Sequence, residues 1–263
     1  MGKQTSFTKE YISKINKRVY DSTAHVYDEE HQHNVFCAEN QKRVGKILNC
    51  IIKDIDRNDN CVRLLDAGCG TGNVLRLSKD KVGLVVGTDI SAECLALSSR
   101  YTNNLACSDV SSLPFRSTSV DVITAYSVLH HLFDYTEFLS EAYRVLAKGG
   151  WLYTDFDHNN LMLRTMFPLF RKKILSMPIL NLIKRTIMKN RIDNSEITEY
   201  KLANFHNELK GGINFLEVRK KLKKIGFRQI RIFTYKKQGS IYYVEKGILS
   251  MLRYPLVYCI AKK

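Results

Sequence analysis

Leu64-Leu65-Asp66-Ala67-Gly68-Cys69-Gly70-Thr71-Gly72 is the stretch whose reading decides the fold. An apolar run, Val62 to Asp66, has the length and composition of a strand and ends on an acid. Three glycines at alternate positions follow, and a helix begins at about Asn73. Glycines at such a hand-over let the backbone approach a ligand and adopt angles that a side chain forbids. By itself the turn fits either a ligand loop or a tight connection with no ligand.

Working outward, the same alternation recurs. Gly83 to Asp89, Leu105 to Cys107, Val120 to Ala125 and Trp151 to Phe156 are further strand-length apolar runs. Ser91 is placed to cap a helix carrying Cys94, Leu95 and Leu97, and a helix over Thr136 to Leu146 stops at Gly149-Gly150. Upstream, Phe7 to Val19 and Phe36 to Ile55 read as helices, the second with Val44, Ile47, Leu48, Ile51 and Ile52 on one stripe. Downstream, Phe215 to Ile225 reads as a helix, Arg228 to Tyr235 as a strand, Val244 to Leu252 as a helix and Val257 to Lys262 as a closing strand. The expectation is an α/β chain built on a Rossmann-like, doubly wound, mostly parallel seven-stranded sheet. It carries an N-terminal helical segment and a helical cap inserted after the fifth strand. The divisions fall at 1–61 (helices and lid), 62–157 (core), 158–212 (cap) and 213–263 (closing helix and strands).

Ligands of such sheets sit beyond the carboxyl ends of the strands, which singles out the loops starting at Asp66, Asp89, Asp109 and Tyr126. Asp89 ends the second strand roughly 20 residues past the turn, where a carboxylate accepts from both hydroxyls of a ribose. The dinucleotide fingerprint would place its third glycine at position 73, which is Asn73, and the acid at Asp66 would repel a pyrophosphate. NAD is therefore disfavoured. A ligand presenting an ammonium and a sulfonium suits these residues.

At this point the motifs resemble a known family. Asp66-Ala67-Gly68-Cys69-Gly70-Thr71-Gly72 resembles motif I of the class I S-adenosylmethionine-dependent methyltransferases. Asp89-Ile90-Ser91 is similar to the second motif, and Asp109 with Leu113-Pro114-Phe115 and Val120-Asp121 to the third. Ser127-Val128-Leu129-His130-His131-Leu132 and the run from Glu141 to Gly150 complete the set, although Ala147-Lys148 stands where many relatives have Lys-Pro. The set resembles the small-molecule branch that includes the ubiquinone and menaquinone biosynthesis enzymes, and Tyr20-Asp21 to Tyr27-Asp28 resembles the segment that closes over the cofactor there. The resemblance implies that Asp66, Ala67, Gly68, Gly70 and Gly72 hold the methionine end of S-adenosylmethionine. It also implies that Asp89 takes the ribose, that Ile90 lies on the adenine, and that Asp109 and Val110 read the adenine edge. Tyr126 and Ser127 would line the transfer site, with Tyr20 and Tyr27 above it.

Transfer from a sulfonium demands alignment and dryness more than covalent help. A base is required only if the acceptor must lose a proton. His131, His130 and His158 are the candidates, with capping or packing beneath the site as the plainer role for at least one of the adjacent pair. No metal is expected.

The formal charge of +15 points to something acidic. Between Asp157 and Asp193 there is no acidic residue, and Arg164, Arg171, Lys172, Lys173, Lys184, Arg185, Lys189 and Arg191 alternate with apolar side chains. A cap with a solvated basic rim accounts for this pattern; an apolar or anionic acceptor, or anionic lipid at a membrane periphery, is the sharper reading. Nucleic acid is the other partner the charge raises, as for an RNA methyltransferase. It is disfavoured because no Asn/Asp-Pro-Pro-Tyr/Phe motif follows the fourth strand. A methyltransferase-like binding protein without catalysis is disfavoured by the presence of Asp66, Asp89 and Asp109 together. The seven cysteines form no C-x-x-C pair, and the longest apolar stretch, Ile174 to Ile183, is about half a membrane span. A cytoplasmic protein acting on a small molecule, at most peripheral to a membrane, is expected.

Overall fold

A computed structural model describes residues 7–56, 61–160, 194–208, 210–238, 241–246 and 254–263. Two helices lead, α1 (Lys9–Glu30) and α2 (Ala38–Lys53), and the alternation then runs β1 (Arg63–Ala67), α3 (Asn73–Ser78), β2 (Leu84–Asp89), α4 (Ala92–Ser98), β3 (Leu105–Cys107) and β4 (Val120–Tyr126). A short 3-10 turn (Leu129–His131), α5 (Tyr135–Val145) and β5 (Leu146–His158) follow. From residue 194 onward come α6 (Asn194–Ala203), α7 (Phe205–Glu208), α8 (Phe215–Ile225), β6 (Arg228–Gln238), β7 (Ile241–Lys246) and β8 (Leu256–Lys262).

The strands form one sheet in the order β3-β2-β1-β4-β5-β8-β6-β7. The first five pair in parallel, whereas β8 enters antiparallel between β5 and β6. The seven expected strands are present, and β7 adds an eighth at the edge as the antiparallel partner of β6. The helix expected over Val244 to Leu252 is thus corrected at its start: Tyr242, Tyr243 and Val244 are aromatic or β-branched and pair across to β6. Its remainder, and most of the cap (161–193), lie outside the described residues.

Alternation along each strand sorts side chains between two cores. Leu65, Ile123 and Leu152 face α5 and α8, meeting Phe138, Ala142, Phe215 and Leu222. Leu64, Val122 and Trp151 face the other way, onto Val44, Leu48, Ile51 and Ile52 of α2 and Val74 of α3. A third cluster joins Ile12, Ile15 and Val19 of α1 to Leu202 and Ala203 of α6 and to Phe205. The first helix is longer than its apolar pattern suggested. It starts on a Thr8 cap and continues unbroken through Tyr20 and Tyr27.

One polar cluster is buried beneath the carboxyl end of the sheet. Arg43 of α2 reaches Asp155 of β5 at 2.8 Å, with both side chains removed from solvent. The Tyr153 and Tyr235 hydroxyls also donate to that carboxylate, and the guanidinium lies over the Tyr235 ring. Arg43→Met strands this carboxylate in the interior, so urea unfolding is expected to report a loss of about 3–5 kcal/mol. Replacing Asp155 by Leu in that background should return much of it.

Candidate active site

Carboxyl ends of the parallel strands open into a cleft of about 1120 Å³, its mouth included, roofed by α1. The ends of β1 to β4 contribute Asp66, Asp89, Asp109 and Tyr126. Asp66, the penultimate residue of β1, is buried and accepts from the Thr124 hydroxyl of β4 at 2.6 Å. Burial pushes its pKa up to about 7, Thr124 opposing and Asp89 adding to the rise. Asp89 closes β2 and accepts from the Gly70 N–H at 2.8 Å and the Ser91 N–H at 2.9 Å. Burial raises its pKa as well, against those two donors. Asp109, just past β3, accepts from the Ser111 N–H and hydroxyl at 2.8 and 2.7 Å and from Ser13 of α1 at 2.9 Å. Burial works against that carboxylate, but its donors prevail and hold its pKa below the ordinary value.

Gly70 has φ +51, and a Cβ there would meet nothing within 4 Å, so its backbone faces open space in the cleft. Gly72 serves differently. At φ +96 it turns away from the cleft, and a Cβ would strike the Tyr101 ring at 2.5 Å. At the end of β4, Tyr126 accepts from Asn40 Nδ2 at 2.7 Å and stacks on Phe156. Ser127 takes φ 61, a left-handed conformation costly for a serine, secured by its N–H on the Asp155 carbonyl at 2.7 Å.

Among the sequence candidates, the structure brings Asp66, Gly68, Gly70, Asp89, Ile90, Asp109, Val110, Tyr126, Ser127, Tyr20, Tyr27 and His131 to the walls of one cleft. It leaves out four. Ala67 is buried in the α5-side core, and Gly72 packs on Tyr101. His130 lies beneath the site with Nδ1 2.8 Å from Asp157, burial driving its pKa down to about 3. His158, at the end of β5, is outside the lining, its carbonyl accepting from the Ile213 N–H.

His131 is held from two sides. Its Nδ1 is 2.6 Å from the Ala203 carbonyl, so the proton resides there and Nε2 is bare. The Tyr20 hydroxyl stands 3.1 Å from Nε2 and donates to it. Burial, with His130 adjacent, holds the His131 pKa well below the usual range, and the ring is neutral at pH 7.

Sequence reasoning missed the first half of α1 and the residue after the glycine turn. Ser13 and Asn16 line the cleft, Asn16 donating to the His131 carbonyl at 2.8 Å, and Asn73 lines it from the start of α3. A signal existed: Asn16 is a polar residue on the same helical face as Ile12 and Val19. Its Oδ1 and the Nδ2 of Asn73 are both buried without a partner. No group of His, Cys, Asp or Glu among the described residues is arranged to hold a metal.

Residues 65–154 match the family model of a methyltransferase domain. A protein of Mycolicibacterium smegmatis, named a probable S-adenosylmethionine-dependent methyltransferase, is 36% identical over 89 residues, covering 33% of this chain and 35% of that one. Over these 90 positions the chain is similar to methyltransferase domains, that of the Mycolicibacterium smegmatis protein among them. The demethylmenaquinone methyltransferase of Lactococcus lactis is 27% identical over 159 residues, 53% of this chain and 58% of its own. This chain therefore spans between about a third and three-fifths of the length of these two relatives. The magnesium protoporphyrin IX methyltransferase of Synechocystis, crystallised with S-adenosylhomocysteine, shares the fold: TM-score 0.58, 16% identity, 96% of this chain and 99% of that one.

The lining of the cleft fits S-adenosylmethionine on chemical grounds. Acids stand at or just past the ends of three adjacent strands, one glycine opens to the cleft, and two lining residues, Asn16 and Asn73, each keep a buried polar atom without a partner. In the folded domain Asp66 keeps its proton to about pH 7, but the unfolded chain releases it near 3.8. Its ionisation thus costs the fold: this contribution is full below about pH 4 and is lost as pH rises through about 7. Relative to Asp66→Asn, wild-type stability in urea should decline between about pH 4 and pH 7. A difference independent of pH would contradict the assignment.

Proposed function

We propose that the whole chain transfers a methyl group from S-adenosylmethionine to an O, N or C atom of a small-molecule acceptor. The observation that carries this reading is the convergence of Asp66, Asp89 and Asp109, from three adjacent strand ends, on one cleft roofed by α1. In this reading Asp66 and the Gly68–Gly70 backbone receive the methionine end. Asp89 takes the ribose hydroxyls; Ile90, Asp109 and Val110 take the adenine.

The bound cofactor supplies an activated methyl group on a positive sulfur. The protein supplies alignment, dryness and a path for a proton. Helix α1 excludes water and is tied to the loops below: Asp21 accepts from Ser91 at 2.7 Å, and Asp28 accepts from Thr71 at 2.5 Å. The Tyr126 ring, backed by Phe156, forms the wall beside Ser127. Should the acceptor release a proton, the Tyr20 oxygen receives it while the Tyr20 hydrogen passes to His131 Nε2. The resulting imidazolium is supported by its Nδ1–H on the Ala203 carbonyl.

The likeness to the demethylmenaquinone methyltransferase of Lactococcus lactis supports a small-molecule acceptor. No helix among the described residues is long and apolar enough to cross a membrane. Contact with anionic lipid, a cytoplasmic location and the use of 158–212 as an acceptor cap remain within this proposal, resting on the basic and apolar alternation of the sequence.

Calorimetry is expected to detect S-adenosylmethionine binding and to find it weakened about a hundredfold or more in Asp89→Asn, which keeps the size of the side chain. Unchanged affinity would remove the ribose assignment. With an acceptor identified by mass spectrometry of a labelled extract, Tyr20→Phe should lower kcat by about 10²-fold at little change in cofactor affinity. Equal kcat in the two proteins would show that no proton passes through Tyr20.

A further inference from the structure

Asn73 occupies the position where a dinucleotide-binding turn would carry its third glycine, and it begins α3 with a side chain only 7% exposed. The direction of its amide is set by a chain of donors. Arg76 Nη2 donates to Gln41 Oε1 at 2.5 Å. A guanidinium only donates, so Gln41 must present its Nε2 on the other side. That nitrogen donates to Asn73 Oδ1 at 2.7 Å and to the Val35 carbonyl at 2.6 Å. With Oδ1 turned to Gln41, Nδ2 is the remaining polar atom of Asn73, buried with no partner in a residue that lines the cleft. A buried N–H without an acceptor costs about as much as a lost hydrogen bond, so the position calls for an acceptor in the ligand.

The occupant's charge follows from the lining. Asp66 and Asn73 bracket the same glycine turn, and an amino acid carries its ammonium and carboxylate on one carbon. A site that holds the ammonium at Asp66 must therefore meet a carboxylate nearby. Lys9 is the one Lys or Arg among the described lining residues; it pairs with Glu137 and stands toward Asp109, at the other end of the cleft. Neutral donors must do this work. We propose that Asn73 Nδ2 holds the carboxylate of the cofactor's methionine end. Gln41 and Arg76 act as positioning residues that keep the amide turned toward it. This assignment rests on the reading of the cleft as an S-adenosylmethionine site.

Decarboxylated S-adenosylmethionine retains the ammonium, sulfonium and adenosine and lacks only the group in question. Affinities for it and for S-adenosylmethionine, measured by calorimetry on the full chain, separate the ideas. Asn73→Leu is expected to weaken S-adenosylmethionine about ten- to hundredfold, as for a lost bond to a charged group, and to leave the decarboxylated compound within about twofold. Asn73→Asp should weaken it further by like-charge repulsion. Should Asn73→Leu fail to fold, Gln41→Met serves instead, with a smaller loss, about three- to tenfold, confined to the carboxylate-bearing ligand. Equal losses for both ligands, or none for either, would overturn the assignment. Wild-type protein that binds neither would overturn the reading of the cleft itself.

Discussion

Three carboxyl groups at adjacent strand ends, two buried and the third half-buried, are the constraint around which the rest is arranged. An ionised acid in the interior must be met by donors, and a strand end has few of its own. Each acid is therefore satisfied by a different element: Asp66 by β4, Asp89 by the glycine turn and the start of α4, Asp109 by its own loop and by α1. The bonds that satisfy the acids also hold the loops in register. The cleft keeps its shape because its buried polar groups must be met.

Helix α1 is part of that arrangement and not a separate cover. From Ser13 to Asp28 its polar residues reach the loops after β1, β2 and β3 and the turn after β4, while Ile12, Ile15 and Val19 pack on α6 and α7. His131 is where the two meet, with Tyr20 on one nitrogen and the Ala203 carbonyl on the other. Movement of α1 therefore changes the surroundings of the one histidine among the described lining residues.

Beneath the acids lies a different kind of interaction, the buried pair of Arg43 and Asp155. Its geometry extends to the site through Asn40, which accepts from Arg43 and donates to Tyr126, and through the Asp155 carbonyl on Ser127. A pair of this kind adds little net stability over apolar packing. What it provides here is direction, since the Tyr126 ring and the strained Ser127 backbone are both set by it.

Much of this was legible in the residues alone. Strand-length apolar runs, the acid closing each of the first two, and the glycine at position 70 follow from local rules of period, turn chemistry and charge. The order of the motifs was sufficient to indicate the methyl donor. What tertiary structure decided is which of several similar residues does the work. His130 and His131 are neighbours in sequence, yet one is buried against Asp157 and the other faces the cleft. Gly70 and Gly72 look equivalent in the motif, yet one opens to ligand and the other accommodates Tyr101. Asn73 entered as the residue that excludes a dinucleotide, and only the approach of Gln41 from α2 gives its amide a direction. Hydrogen-bond partners and burial are set by segments tens of residues apart, so no local pattern could have chosen among these neighbours.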